Sequence, residues 1–315
     1  MKEFDLIQLL TRSLPSNPNV ITGPGDDCAV LDLGLPDDYI LFKTDAVVEG
    51  VHFTGATAPE KIGRKALGRV LSDIAAMGGK PCAALITLGL PPHYEVSTVE
   101  AVYRGLNALA TEWKTSIVGG ETTTNPGGML LSIALLGTVP KTKCIHRSGA
   151  KPGDAIFVTG QLGGSIAGKH LDFEPRIAEA QWLANHFEVH AMIDLSDGLA
   201  GDLKHVLRAS GVGAELFTKT IPISREAKLQ AKVESSAKPP LLAALTDGED
   251  FELLFTIASR LAVPLLDGWK AQFPDQKLSC IGRITETPGL RLRDHNGVRE
   301  FSGMGYEHFS LPARS

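Results

Sequence analysis

Two adjacent carboxylates, Asp26 and Asp27, lie between the turn 23–25 and the apolar run 29–31, which is typical of a strand. Paired carboxylates repel each other unless water or a cation neutralises them, and carboxylate oxygens are ligands that Mg²⁺ prefers. Asp is also a common turn former, which is a simpler explanation for the pair. The pair alone therefore leaves both a divalent-metal site and an ordinary turn open.

Acidic residues recur along the chain where apolar runs meet turns, at Asp45, Glu121, Asp194, Asp197, Glu249 and Asp250. Asp73 lies near the end of a predicted helix, where the helix dipole disfavours a carboxylate unless solvent or a cation compensates it. If these residues converge in one pocket, several Mg²⁺ ions and a polyphosphate are needed to balance their charge. Spacing alone does not establish that convergence.

Two other patterns favour structural explanations over functional ones. Residues 163–169 match the G-x-x-x-x-G-K part of a P-loop, but His170 stands where a Ser or Thr hydroxyl should contact Mg²⁺. We therefore interpret the segment as an ordinary glycine-rich loop and Lys169 as an exposed lysine. His186 and His190 are four residues apart, but no further metal ligand adjoins them, so surface or packing roles are expected.

The elements that must position these residues alternate between strand and helix patterns, which predicts an α/β protein. Helices are predicted over 59–77, 97–113 and 175–187 and from residue 199, and strands over 29–31, 39–44, 117–118, 129–139, 155–159, 191–194, 214–217, 251–257 and 279–284. The strand from residue 39 is expected to end at Asp45. The polar, turn-rich segment 141–154 predicts a boundary between domains 1–140 and 141–315.

Composition narrows the class of protein. A chain of 315 residues with 43% hydrophobic and 21% charged residues is long enough for two globular domains with separate cores. A net charge of −5 without a Lys/Arg cluster predicts neither a nucleic-acid nor a membrane partner. The start lacks a signal-peptide pattern and no apolar run approaches about 20 residues, so a cytoplasmic protein is expected. The four separated cysteines are predicted to be reduced and mostly buried.

Several motifs occur in a characteristic order: GDDCA at 25–29, TD at 44–45 with EGVHF at 49–53, LSDIAAMG at 71–78, RSGAKPGD at 147–154, IDLSDG at 193–198, GEDFEL at 248–253 and GYEHF at 305–309. In combination they resemble the thiamine-monophosphate kinases, within the aminoimidazole-ribonucleotide-synthetase superfamily, from about residue 4 to residue 309. The resemblance implies a two-domain α/β (α+β) fold. The N-terminal sheet would form a homodimer interface, and a C-terminal α/β domain would complete the active-site cleft.

The resemblance also implies an activity. The expected reaction is Mg²⁺-dependent transfer of the ATP γ-phosphoryl group to thiamine monophosphate, giving thiamine diphosphate and ADP, the last step of thiamine diphosphate biosynthesis. Such direct in-line transfer needs mainly alignment and charge neutralisation, so no catalytic side chain is predicted. The alternatives are another ATP-dependent superfamily enzyme, of dehydratase or cyclo-ligase type, and a catalytically silent nucleotide-binding protein. A dehydratase of that type would need a reactive C-terminal cysteine, and this sequence ends LPARS.

Site residues follow from the resemblance position by position. It implies metal positions at Asp27, Thr44, Asp45, Asp73, Glu121, Asp194 and Asp197, ATP positions at Tyr103, Gly120, Glu121, Arg147 and Ser196, and thiamine-phosphate positions at His52, Glu249 and Tyr306. Asp26 is expected to shape the turn beside Asp27. The sequence departs from the family pattern in three places: Glu121 stands where Asp is usual, Lys43 where a small hydroxyl residue is frequent, and the connection 168–171 is short.

Overall fold

The structure is a computed structural model that describes residues 3–234, 236–303 and 305–306. Residues 307–309 of the closing motif, and the residues after them, lie outside the described part of the chain. The mixed α/β fold with two sheets confirms the predicted class. In the described residues, no helix combines the length and the apolar character that crossing a membrane requires.

The first sheet is built from residues 20–140. Its strands are β1 (Val20–Thr22), β2 (Ala29–Leu31), β3 (Asp38–Val48), β4 (Lys80–Leu90), β5 (Ser116–Thr124) and β6 (Leu130–Pro140), in the order β1-β2-β3-β6-β4-β5. The helices of this part are α1 (Glu3–Thr11), α2 (Pro59–Ala76) and α3 (Val96–Glu112). Strands β4 and β5 run parallel because α3 connects them, and the other neighbours pair antiparallel.

Helix α2 covers the inner face of this sheet. Pro59 starts the helix, the apolar stripe that includes Ile62, Val70 and Ile74 is buried, and Gly78 follows its end with φ of 72°. A glycine at position 63 lets α3 approach closely, since a Cβ there would lie 1.9 Å from the carbonyl oxygen of Val102. The predicted helix over 59–77 is confirmed, and α2 is enclosed between the sheet, α3 and the second half of the chain.

The second sheet is built from residues 154–300. Its strands are β7 (Asp154–Thr159), β8 (Val189–Asp194), β9 (Gly213–Phe217), β10 (Leu253–Ala258), β11 (Leu278–Thr285), β12 (Gly289–Asp294) and β13 (Gly297–Glu300), in the order β13-β12-β9-β11-β7-β10-β8. The helices are α4 (Lys169–Asp172), α5 (Ile177–His186), α6 (Leu199–Ser210), α7 (Arg225–Val233), α8 (Pro240–Thr246) and α9 (Ala262–Gln272), with 3₁₀ turns at Ser165–Ala167 and Ser259–Leu261. The two sheets thus take their strands from either side of the predicted boundary.

The hydrophobic cores of the two halves are not separate, contrary to the prediction. Leu71 of α2 belongs to the same buried cluster as Phe157 and Phe255, which lie on one face of the second sheet. The alternate residues of those strands, such as Ile156 and Leu254, face a second cluster that α6 and α8 cover. Because successive residues of a strand point to opposite faces, one face of the second sheet contributes to the core shared with the first half, and the other face forms a separate core.

Two predicted strand ends are wrong. Asp45 lies inside β3, where it pairs with Ile133, and Glu121 lies inside β5, where it pairs with Thr87. The long partner strands β6 and β4 continue the hydrogen-bond ladder past these polar side chains, so polarity does not end the strand. The cysteines also differ from expectation, since only Cys28 of the four is buried and Cys82 is exposed.

Candidate metal and phosphate site

Three buried carboxylates from distant parts of the sequence meet at one point. Asp27 precedes β2, Asp73 lies in the last turn of α2, and Asp194 is the last residue of β8. One oxygen of each lies within 4.8 Å of the others. We call these three residues the acidic cluster.

Asp27 shows that the acidic cluster suits a cation. Its Oδ1 accepts a hydrogen bond from Arg147 Nη2 at 2.6 Å, but its buried Oδ2 has no hydrogen-bond partner among the described residues. Burial raises the pKa of the Asp27 carboxyl in spite of Arg147. A buried acceptor without a donor is costly, and a bound cation would satisfy it.

The other two carboxylates show the same need for positive charge. Asp194 Oδ2 accepts from Ser72 Oγ at 2.6 Å, and burial, followed by the charge of Asp27, raises the pKa of Asp194 to about 7. Burial also raises the pKa of Asp73 well above its usual value, and Asp45 and Asp194 add to that effect. Three hard oxygen donors within 4.8 Å of one another match the ligands of Mg²⁺, so the residues present fit this ion.

Side-chain cations border the acidic cluster on the Asp45 side. Lys43 Nζ lies 2.9 Å from Asp73 Oδ1 and 3.7 Å from Asp45 Oδ1. Arg69 Nε lies 3.7 Å from Asp45 Oδ2. The structure therefore places Asp45 beside the cluster, with a protein cation facing each of its oxygens.

Arg147 links the cluster to the start of the second half. Besides the Nη2 contact with Asp27, its Nε is buried without an acceptor among the described residues. The turn is held by Asp26, which accepts from the Arg147 backbone N–H at 3.2 Å and contacts His146 Nδ1 at 2.9 Å. Hydrogen bonds with Asp26, and then with Cys144, raise the pKa of His146 to about 10. Asp26 thus shapes the turn, as expected, and leaves Asp27 to the cluster.

The loop after β8 brings a further acid that sequence reasoning missed. Asp202, in the first turn of α6, is buried and accepts from the Asp197 backbone N–H at 3.1 Å. Burial raises the pKa of Asp202 well above its usual value, and the charges of Asp197 and Asp194 act in the same direction. The sequence offers one local signal for Asp202, its position four residues after Gly198. Acidic residues are common in the first turn of a helix, so this position does not indicate a site residue.

A pocket of about 230 Å³ adjoins the loop that carries Ser196 and Asp197. It brings together the three predicted thiamine-phosphate residues, which are His52, Glu249 and Tyr306. The side of this pocket also carries Arg69, whose guanidinium reaches toward both Glu249 and Asp45. Arg69 therefore lies between the pocket and Asp45, which is next to the acidic cluster.

Glu249 is held by a lysine, an arginine and a histidine that sequence reasoning missed. Its carboxylate lies 2.7 Å from Lys65 Nζ, 3.1 Å from His170 Nδ1 and 3.5 Å from Arg69 Nη1, and its backbone has φ of 63°. Burial acts to raise the pKa of Glu249, but the His170 hydrogen bond and the charges of Lys65 and Arg69 lower it to about 2. Lys65 is fully buried beside the apolar stripe of α2, and no local signal marks it as a site residue.

Two predicted site residues, Thr44 and Glu121, lie on the other face of the first sheet, and Gly120 lies in its edge strand. Thr44 is exposed 3.4 Å from Ser132 Oγ, on the face opposite to its neighbour Lys43. Gly120 and Glu121 lie in the exposed strand β5, and Glu121 pairs with Thr87, away from the buried side of β4. The side chains of Thr44 and Glu121 therefore point away from the acidic cluster of the same chain. Tyr103 packs half-buried on α3 against the first core.

The glycine-rich loop is not arranged to bind phosphate. Gly163 N–H donates to both oxygens of Asp250 at 3.0 Å, so a carboxylate already occupies the position that a phosphate would take. Lys169 is not simply exposed, contrary to expectation, because its Nζ lies 2.8 Å from the buried Glu252 carboxylate. His186 Nδ1 lies 2.8 Å from the Trp182 carbonyl oxygen, and His190 Nδ1 lies 2.8 Å from the Asp154 carboxylate, so both rings have structural hydrogen-bond partners.

Family models match both halves of the chain. The AIR synthase related protein N-terminal domain matches residues 25–139, and the corresponding C-terminal domain matches residues 151–295. These matches bracket the turn-rich segment that contains Arg147.

Complete proteins match the chain over most of its length. The thiamine-monophosphate kinase of Rhodopirellula baltica is 43% identical over 290 residues, covering 90% of this chain and 88% of that protein. The thiamine-monophosphate kinase of Salmonella typhimurium is 37% identical and covers 98% of this chain and 99% of its own. The solved structure of AaThiL complexed with AMPPCP and TMP has a TM-score of 0.82 at 32% identity, covering 98% of this chain and 97% of that one.

Proposed function

The chain belongs to the thiamine-monophosphate kinase family, and from that membership we propose that it transfers the γ-phosphoryl group of ATP to thiamine monophosphate, giving thiamine diphosphate and ADP. AaThiL, with which it shares 32% identity, was solved with TMP and with AMPPCP, an analogue of ATP. The observation that carries the proposal is the acidic cluster beside the pocket of His52, Glu249 and Tyr306.

The chemistry explains why such a site is needed. An anionic acceptor phosphate must approach an anionic donor in line, so catalysis depends on alignment and on neutralising charge. Bound Mg²⁺ would supply that neutralisation at the phosphoryl oxygens, held by Asp27, Asp73 and Asp194 with Asp45 and Asp197 at the border. Arg147 adds a guanidinium whose buried Nε is still without an acceptor in the described chain, and phosphate oxygens suit that donor.

The neighbouring pocket supplies recognition of the acceptor. The half-exposed Tyr306 ring offers a face to the cationic thiazolium of thiamine monophosphate, and the Glu249 carboxylate offers a negative charge. Lys65 and His170 hold Glu249 in place and keep it ionised. His52 borders the same space. On the ATP side, Tyr103, Gly120, Glu121, Arg147 and Ser196 are the proposed contacts.

We propose that the protein is a homodimer that forms through the outer face of the first sheet. Phe42, Leu85 and Leu136 are 45%, 49% and 41% exposed on this face, which is unusual for neighbouring large apolar side chains. Thr44 and Glu121 lie on the same face. Such a dimer would place these two residues at the interface, where they face the partner subunit.

The two halves of the chain have different proposed roles. In our proposal, residues 1–140 carry ATP and metal binding and dimerisation, and residues 141–315 complete the active-site cleft. We also propose a cytoplasmic location and no nucleic-acid or membrane partner. Another ATP-dependent enzyme of the superfamily, or a silent nucleotide-binding protein, is not favoured, because the kinases match nearly the whole chain.

The direct test is turnover. Purified protein incubated with ATP, thiamine monophosphate and Mg²⁺ is expected to form thiamine diphosphate and ADP in equal amounts, measured by chromatography. Chelating the metal with EDTA should abolish both products, and adding excess Mg²⁺ should restore them. Formation of ADP without thiamine diphosphate would contradict the assignment and favour another ATP-dependent reaction.

A further inference from the structure

Lys43 places a protein cation inside the acidic site. The residue lies in the middle of β3 and its side chain, 21% exposed, points toward α2. Its Nζ donates to Asp73 Oδ1 at 2.9 Å and lies 3.7 Å from Asp45 Oδ1. One ammonium group therefore lies between two carboxylates that were both predicted to bind metal.

That position excludes a divalent ion as long as Lys43 remains in place. An Mg²⁺ ion bound by Asp45 and Asp73 would have to lie about 2.1 Å from an oxygen of each. The ammonium group contacts the same two oxygens, and two cations at such close range repel each other strongly in a partly buried site. The second oxygen of Asp45 faces Arg69, so this carboxylate is balanced by protein charge alone.

The other side of Asp73 is different. Asp27 Oδ2 has no donor among the described residues, and Asp194 Oδ2 receives a neutral hydroxyl rather than a cation. Arg147 pairs with one oxygen of Asp27, which leaves the second oxygen of Asp27 and the carboxylate of Asp194 without a contacting cation among the described residues. On the side of Asp45, Lys43 already supplies positive charge.

We propose that Lys43 is a built-in counter-cation that replaces one divalent ion between Asp45 and Asp73, so that this protein binds metal at Asp27, Asp73 and Asp194 with one ion fewer than the site would otherwise hold. The inference rests on the metal-binding part of the proposed function. It makes Asp45 an anchor for Lys43 and Arg69 instead of a metal ligand.

Counting bound Mn²⁺ tests the proposal. We would measure ions per chain by equilibrium dialysis, reading free Mn²⁺ by electron paramagnetic resonance, for the wild type and for Lys43→Ser. The variant is expected to bind one additional ion per chain, because Asp45 and Asp73 lose their counter-cation. Equal counts in the two proteins would overturn the proposal.

Lys141→Ser is the matched control. Lys141 Nζ also lies 2.9 Å from a carboxylate, that of Asp32, but outside the acidic site. Its replacement is expected to leave the Mn²⁺ count unchanged. A rise in the control equal to that in Lys43→Ser would also overturn the proposal, because it would show a general effect of losing a lysine.

Diffraction from wild-type crystals soaked in Mn²⁺ gives an answer that does not depend on how the variant folds. The anomalous signal is expected beside Asp27, Asp73 and Asp194, with Lys43 still between Asp45 and Asp73. A peak between Asp45 and Asp73, with Lys43 displaced, would overturn the proposal. Neither measurement uses thiamine monophosphate or turnover, so a failed kinase assay would leave this result standing.

Discussion

At the scale of single residues, charge balance decides what the site can bind. The acidic cluster gathers three buried carboxylates, while Arg147 reaches only one oxygen of Asp27. Lys43 contacts the cluster only at Asp73, from the side of Asp45, and Lys65 and Arg69 contact Glu249. The site therefore has negative charge where a metal is proposed and balanced charge where the acceptor is proposed to bind.

The first prediction at this scale separates the acidic cluster from the glycine-rich loop. Asp194→Asn and Asp27→Asn each remove a negative charge and keep the size of the side chain, so kcat should fall by about 100-fold or more. Lys169→Ala should keep its kcat and lose only stability, because Lys169 contacts Glu252 and no site residue. Steady-state kinetics on folded variants measure this. Inactive Lys169→Ala beside active Asp→Asn variants would instead support phosphate binding by the loop.

The second residue-scale prediction concerns pH and Glu252. Burial acts to raise the pKa of this carboxyl, but Lys169 and Arg176 lower it from 4.5 to about 2. The folded state thus binds the proton less well than the unfolded state, so the carboxylate stabilises the protein above pH 4.5 and loses its effect as pH falls toward 2. Glu252→Gln should lower the free energy of unfolding by about 3 kcal/mol near neutral pH.

Urea unfolding at several pH values checks this prediction. The difference between the wild type and Glu252→Gln should shrink as the pH is lowered. Glu188→Gln is the control, because Glu188 is 68% exposed and its contact with Lys151 is 3.7 Å, so its replacement should change little. A difference for Glu252→Gln that stays constant down to low pH would contradict the ion-pair explanation.

At the scale of elements, α2 is the structural support of the site. Lys65, Arg69 and Asp73 recur every four residues and therefore lie along one line of this helix, facing Glu249, Asp45 and the acidic cluster. Another side of the helix packs against α3 through glycine contacts. The position of α2 consequently sets three site residues at once.

The prediction at this scale is that a methyl group between α2 and α3 disturbs both stability and activity. Gly63→Ala would bring a Cβ within 1.9 Å of the Val102 carbonyl oxygen, so the helices must separate. The free energy of unfolding should fall by about 2–3 kcal/mol, more than any gain in helix propensity. Activity should fall as well, because Asp73 moves with α2.

Chemical denaturation and kinetics measure the two effects. Gly268→Ala in α9 is the matched control, because the nearest atom to its new Cβ is a Trp182 ring carbon at 3.2 Å, a much milder contact. The control should lose less stability and keep its activity. If Gly63→Ala were as stable as the wild type, the close packing of α2 and α3 would not limit stability.

At the scale of the whole molecule, the site exists because the two halves share a core. Asp27 and Asp73 come from the first half and Asp194 from the second, and the Ser72–Asp194 hydrogen bond joins them. The continuous hydrophobic cluster around α2 holds the halves in this arrangement. Independent cores would leave the distance between these carboxylates free to vary.

The prediction at this scale tests the homodimer. Leu85→Asp puts a charge into the proposed interface and should give a monomer with greatly reduced activity, because Glu121 and Thr44 lie on the same face. Light scattering coupled to size exclusion measures the mass. Val233→Asp, at an 81% exposed position on α7, should leave mass and activity unchanged. A wild-type protein that elutes as a monomer would contradict the proposal.

The sequence by itself predicted nine of the strands and four of the α-helices that the described residues contain, and the family resemblance included the three residues of the acidic cluster among its metal positions. Apolar periodicity and turn residues are local, so the helix over 59–77, the strand that ends at Asp194 and the turn at Asp26 were all predictable. The motifs around Asp27, Asp73 and Asp194 also carried the family resemblance. These signals depend on neighbouring residues only, which is why they need no structure.

The tertiary structure alone decided which side chains meet. Lys43 and Asp73 are 30 residues apart, and Lys65 and Glu249 are 184 apart, so no local pattern predicts their contacts. Successive residues of a strand point to opposite sides of a sheet. The pairing of β3 with β6 and of β5 with β4 therefore placed Thr44 and Glu121 on the outer face. Burial, and with it the raised pKa of Asp194, likewise depends on how the halves dock, since desolvation comes from every surrounding element.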